Sequence, residues 1–193
     1  DNKPYKTRSG KTPKLNVLFE DTKNIFISKK ESNKNMKSED VNKIVNAILK
    51  FADLSNSRTK DYIFDLNKFS DVTGKTGPYI LYTYLRINKI LESVTNELEL
   101  NDDIYNEFDR DLRLKLLEMP EVVSRSFDER MPHYIADYVY NLCVYANIFY
   151  QNNHILNLED KTKKKNCLYI LSLTNKMIKT MLNLLVIDIP SVM

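Results

Sequence analysis

At 193 residues, 42% hydrophobic and 28% charged, the chain is long enough for one folded domain, or one domain plus a small appendage, and too apolar to be a disordered tail. Its net charge of +3 permits a nucleic-acid partner through local clustering without demanding one. No apolar run approaches the ~20 residues of a membrane-spanning helix, which excludes that role, and no signal-peptide pattern is present, so a cytoplasmic location is expected.

The first distinctive stretch is "KTRSGKTPKL", Lys6 to Leu15, with three lysines, an arginine and one of only three glycines. Fixed positive charge, hydroxyls and exposed backbone N–H groups suit a polyphosphate. The chain opens on Asp1 rather than Met, and it is expected to be a fragment. Helices are predicted over 15–30 and 38–54. In the second, Val41, Ile44, Val45, Ile48, Leu49 and Ala52 repeat at helical spacing, with Ser38 as the expected N-cap and Glu39 and Asp40 in the first turn. A polar loop separates the two, and "DYIFDLNKF", 61–69, reads as a short extended segment followed by a helical turn.

Beyond Gly77 the pattern is helical throughout. Over 76–94, Ile80, Tyr84, Ile87, Leu91 and Val94 form one stripe of a helix with Pro78 near its first turn. Helices follow over 107–118, from Pro120, and from Pro132, the last with an inner face of Ile135, Tyr138, Val139, Leu142, Ala146 and Phe149. A final long helix over 161–186 is predicted to bury Cys167, Leu171, Ile178, Met181, Leu182 and Leu185 before Pro190 ends any continuation. The fold expected is mainly α: a loop-rich, partly helical connector, then a helical bundle. Cys143 and Cys167, each within an apolar periodic run, read as reduced, buried thiols.

Catalytic inventories are sparse. His133 and His154 have no Ser, Cys or metal-ligand partner at a meaningful spacing, and no HExxH, paired-carboxylate or phosphate-loop motif occurs. No metal site is expected. The run "KTKKK", 161–165, is either a solvated face or a phosphate contact. More pointed is a second face of the 76–94 helix, where Tyr79, Tyr82, Arg86 and Lys89 recur at intervals of 3, 4 and 3. Such a stripe can stack unpaired bases while neutralising phosphate; alternatively the tyrosines are bundle core with their hydroxyls at the rim.

Read in order, "NKPYKTRSGKTPKL", "KFADLSNSRTKDYIFDLNKF", "GKTGPYILYTYLRI", "PHYIADYVYNLCVYANIFYQNNHIL" and "LLVIDIPSVM" resemble the C-terminal part of arginyl-tRNA synthetases over nearly the whole chain. By that resemblance residues 1–75 are the end of a catalytic domain and 76–193 a helical anticodon-binding domain. "KTRSG" looks like the second class I signature loop that closes on ATP, which implies ATP-site roles for Lys6, Thr7, Arg8 and Gly10. A tRNA-binding surface is implied for Tyr79, Tyr82, Arg86, Lys89, Asn147, Tyr150, His154 and the carboxylate of Met193. Asn147, Tyr150 and His154 would share one side if their helix persists. The resemblance further implies a ligase using arginine, ATP and Mg²⁺ in a full-length parent, with no cofactor on this piece alone, and an arginine-specific tRNA as partner of a monomer. Lys75, the Ile80-Leu81 pair and the "IPSVM" tail depart from the family pattern. The competing reading is a non-catalytic helical module whose tyrosine stripe docks a protein.

Overall fold

In the computed structural model, residues 14–29, 35–94 and 98–193 are described. They form α1 (Leu15–Lys29), α2 (Ser38–Leu54), α3 (Leu66–Phe69), α4 (Gly77–Glu92), α5 (Glu107–Leu117), α6 (Met119–Asp128), α7 (His133–Asn153), a 3₁₀ turn (Ile155–Asn157) and α8 (Lys161–Leu184), with no strand among them. The expected mainly α architecture is therefore what the chain adopts. The signature-loop residues Lys6, Thr7, Arg8 and Gly10 lie outside the described residues.

The block "GKTGPY" starts α4, and each residue in it has a physical task. Gly74 takes φ +77°, a left-handed turn that few side chains tolerate. The Thr76 hydroxyl accepts from the Tyr79 backbone N–H at 3.2 Å and caps the helix. Pro78 fills a first-turn position whose N–H has no helical partner. At Gly77 a Cβ would fall 2.5 Å from the Ala47 carbonyl oxygen of α2, so the missing side chain lets the two backbones touch. Lys75 then ties this turn to α7 through an ion pair with Asp137.

Helix α4 packs against α2, α7 and α8 together. That three-sided contact buries more of its circumference than one stripe. Ile80 and Ile87 are buried as expected, but so are Leu81, Thr83 and Ile90, while Tyr84, Leu91 and Val94 are only half-buried. On α7 and α8 every residue assigned inward from spacing is buried, and Leu168, Ile170 and Thr174 of α8 join them. Both cysteines are free and buried, and burial pushes the Cys167 thiol up to about 11 and Cys143 higher still.

Two local expectations change. Ser38 is the first helical residue rather than the cap; Lys37 stands at the cap position and makes no side-chain bond. Asp40, read as a first-turn charge, is 3% exposed and faces the C-terminal segment. Its carboxylate accepts from the Ser191 backbone N–H and from the Ser191 hydroxyl, both at 2.6 Å. On the same helix, Lys50 donates to the Val186 carbonyl. One helix near the start of the chain thus holds both ends of the 186–191 segment.

Replacing Gly77 by Ala is expected to destabilise the fold by about 1–3 kcal/mol, the usual cost of overpacking a close contact, measured by urea unfolding. The Asp40 carboxyl is held below its ordinary value by the two Ser191 bonds. Its contribution to stability is then complete above the unfolded value of about 4 and lost as pH falls through the lower native value. Asp40→Asn should accordingly show a smaller loss of unfolding free energy between neutral and acid pH than the wild type, read from denaturant melts at each pH.

Candidate nucleic-acid interface

The proposed face is carried by α4 and α7, whose contacts advance toward the C-terminal ends of both helices. Near the start of α4, the Tyr79 ring packs against Tyr140 at 5.6 Å between centroids, tilted by 55°. Its hydroxyl accepts from Asn147 Nδ2 at 3.0 Å, and that nitrogen also donates to Thr83 Oγ1 at 3.2 Å. Burial raises the Tyr79 phenol above its ordinary range while the bond from Asn147 opposes the rise. Tyr79 is half-buried in this polar seam rather than fully presented to water.

Tyr82 differs. It is 46% exposed, one of the large hydrophobic side chains the fold leaves uncovered. One turn further on, the Arg86 guanidinium sits 4.9 Å from the centroid of the Tyr150 ring of α7. Among the described residues no carboxylate pairs with Arg86. The contrast with Arg125 is instructive: it also covers a ring, Tyr134 at 4.1 Å, but Glu129 neutralises it at 2.9 Å. Lys89, exposed one turn beyond, extends the charge along the same flank.

The structure therefore brings Tyr79, Arg86, Asn147 and Tyr150 into one cluster, with Tyr82 and Lys89 beside it. His154 stands apart from that arrangement. α7 ends at Asn153, and His154 takes φ 45°, ψ 42° as its left-handed C-cap, so the helix does not carry it onto the Asn147–Tyr150 side. Its side chain is exposed. Met193 is half-buried and packs against the core. The residues before it, Ile189 to Ser191, share a cleft of about 400 Å³ with Tyr84, Leu85 and Asn88 of α4 and with α8.

Sequence reasoning missed Tyr140, which packs against the Tyr79 ring, and Thr83, which accepts from the same Asn147 amide that reaches the Tyr79 hydroxyl. A threonine at an inward position of α4 was the available signal. The lysine run at 161–165 is largely occupied at home. Asp160 caps α8 by accepting from the Lys163 backbone N–H, Lys163 lies 5.3 Å from the Tyr105 ring centroid, Lys164 donates to the Leu156 carbonyl at 2.7 Å, and Lys165 pairs with Glu99 at 3.3 Å. Those contacts favour the solvated-face reading. Among the described residues no cluster of His, Cys, Asp or Glu suits a metal ion, and no helix is long and apolar enough to cross a membrane.

Comparison with known proteins adds the family. Residues 1–66 match the model for tRNA synthetases class I (R), catalytic domain. The arginine–tRNA ligase of Alkaliphilus oremlandii is 37% identical over 201 residues, covering 100% of this chain and 34% of that protein. The arginine–tRNA ligase of Francisella tularensis subsp. tularensis is 35% identical over 202 residues, with 98% and 34% covered. The chain thus spans about a third of the length of these relatives. In fold, it superposes on Thermus thermophilus arginyl-tRNA synthetase with a TM-score of 0.83 at 22% identity, over 94% of this chain and 32% of that one. The Plasmodium falciparum enzyme gives 0.78 at 24% identity, over 93% and 33%. The segment that carries α4 to α8, residues 80–193, matches the DALR anticodon-binding domain, and since this is more than half of its length, the chain belongs to the DALR anticodon-binding domain family.

Proposed function

We propose that this chain is the C-terminal part of an arginine–tRNA ligase and grips the anticodon loop of an arginine-specific tRNA with the α4–α7 face. The observation that carries the reading is a guanidinium with no carboxylate partner among the described residues, held over the Tyr150 ring beside the exposed ring of Tyr82. Exposed aromatics stack splayed bases, and an uncompensated cation neutralises the adjoining phosphate. The family match over 80–193 and the arginine–tRNA ligase names of the relatives support the same direction.

In this reading residues 76–193 are the anticodon-binding domain, and residues 1–75 close the catalytic domain. Lys6, Thr7, Arg8 and Gly10 belong to the loop that meets ATP. In the parent enzyme ATP and Mg²⁺ serve arginine activation, and arginine then passes to the tRNA. The physical part played by Lys6 and Arg8 is to place mobile positive charge where pyrophosphate charge develops. Tyr82, Arg86 and Lys89 contact RNA directly, Tyr150 holds Arg86 in place, and His154 and Met193 border the bound loop. The chain acts as a cytoplasmic monomer, and by itself it lacks the groups needed to activate an amino acid.

A filter-binding titration with an arginine tRNA transcript tests this. The wild-type chain should retain the transcript with an affinity that falls steeply as salt rises, while showing no ATP–pyrophosphate exchange. The double substitution Tyr82→Ala with Arg86→Ala should weaken retention by at least about tenfold, since one stacked base is worth about 1–3 kcal/mol. It should also flatten the salt slope by roughly 0.7–0.9, the share of one phosphate contact. Retention that is absent or indifferent to salt would instead favour a protein-docking module.

A further inference from the structure

The polar seam between α4 and α7 is a chain of side-chain hydrogen bonds centred on Asn147. Thr83, 1% exposed, donates its hydroxyl hydrogen to the Tyr79 carbonyl at 2.9 Å. With its single proton placed there, the Thr83 oxygen accepts from the Asn147 side chain 3.2 Å away. The Asn147 atom facing it is the amide nitrogen. The second hydrogen of the same nitrogen points to the Tyr79 hydroxyl at 3.0 Å. A phenol that accepts there keeps its own proton for another partner.

We infer that Asn147 is a positioning residue that, with Thr83, fixes Tyr79 as a hydrogen-bond donor toward the bound nucleotide. This rests on the reading of the α4–α7 face as an RNA surface and deepens it. The group Tyr79 selects is an acceptor: a base carbonyl oxygen, an unprotonated ring nitrogen or a phosphate oxygen. An exocyclic amino group presented at that point meets a proton rather than a lone pair and is disfavoured. Packing against Tyr140 holds the ring that carries the hydroxyl. The Asn147 nitrogen itself has both hydrogens committed inside the protein, so it makes no donor contact to RNA.

The test reverses the polarity while keeping the shape. Asn147→Asp presents a carboxylate oxygen where the nitrogen was, so the Tyr79 hydroxyl must turn inward and donate to it. Binding of the whole chain to a fluorescently labelled stem–loop carrying an arginine anticodon is followed by anisotropy at fixed salt, with thermal melts confirming the fold of each variant. Tyr79→Phe is expected to lose about three- to tenfold in affinity, the worth of one neutral hydrogen bond. Asn147→Asp should lose at least as much in the wild-type background and much less in the Tyr79→Phe background, because its effect runs through that hydroxyl. A loss that persists undiminished in the Tyr79→Phe background is simple charge repulsion and overturns the inference, as does a Tyr79→Phe variant that binds like wild type. If those results appear while Tyr82→Ala with Arg86→Ala still weakens binding, the RNA face stands and only the donor assignment falls. If the wild-type chain does not bind the stem–loop at all, both fall together.

Discussion

The approach of α4 to α2 at Gly77 is the constraint from which the rest of the molecule follows. With hydrogen in place of a side chain, the α4 backbone reaches the Ala47 carbonyl of α2 directly. From that position α4 also meets α7 and α8. The same contact joins the connector helices to the bundle, and one continuous apolar core runs from Phe26 of α1 to Ile187 beyond α8. Where α4 lies decides which of its flanks is left for a ligand. Three helices cover its inner sides, so Tyr82, Arg86 and Lys89 inherit the side that remains.

On that flank the side chains divide the work according to how tightly they are held. Arg86 rests on the Tyr150 ring, which removes rotamer freedom before any partner arrives, so less entropy is lost on binding. Tyr79 is fixed by a ring on one side and a hydrogen-bonded amide on the other. Tyr82 alone is loosely framed and largely exposed. A surface with two set elements and one adaptable ring suits a single-stranded loop, whose backbone must be placed before its bases can settle.

Much of this was legible in the sequence because burial here follows the helical repeat. α7 and α8 each contact the core along one broad side, and every residue assigned inward from spacing is inward. α1, α2 and α7 start within one residue of their expected positions, where Pro132 and the polar loop before Ser38 punctuate the chain. The Tyr79–Lys89 stripe was visible for the same reason. What spacing alone could not give is anything that depends on a partner distant in sequence. The half-buried state of Tyr84, Leu91 and Val94 follows from three neighbours surrounding α4. The inward turn of Asp40 needs Ser191, and the seam at Tyr79 needs Asn147 from another helix. That His154 does not continue the Asn147–Tyr150 side has a local reason: a left-handed cap ends α7 at Asn153, and no glycine stands there to announce it.

The bond between Asp40 and Ser191 joins residues 151 positions apart. Because a ribosome adds about 5–20 residues per second, Asp40 waits roughly 8–30 s after its own incorporation before its partner exists. Through that interval the carboxylate is served by water, while the neighbouring apolar side of α2, with Val41, Ile44 and Ile48, can already pack on α1 and α4. The nascent chain therefore passes through a long stage in which α1 and α4 are available to cover α2 while Asp40 still lacks its protein partner.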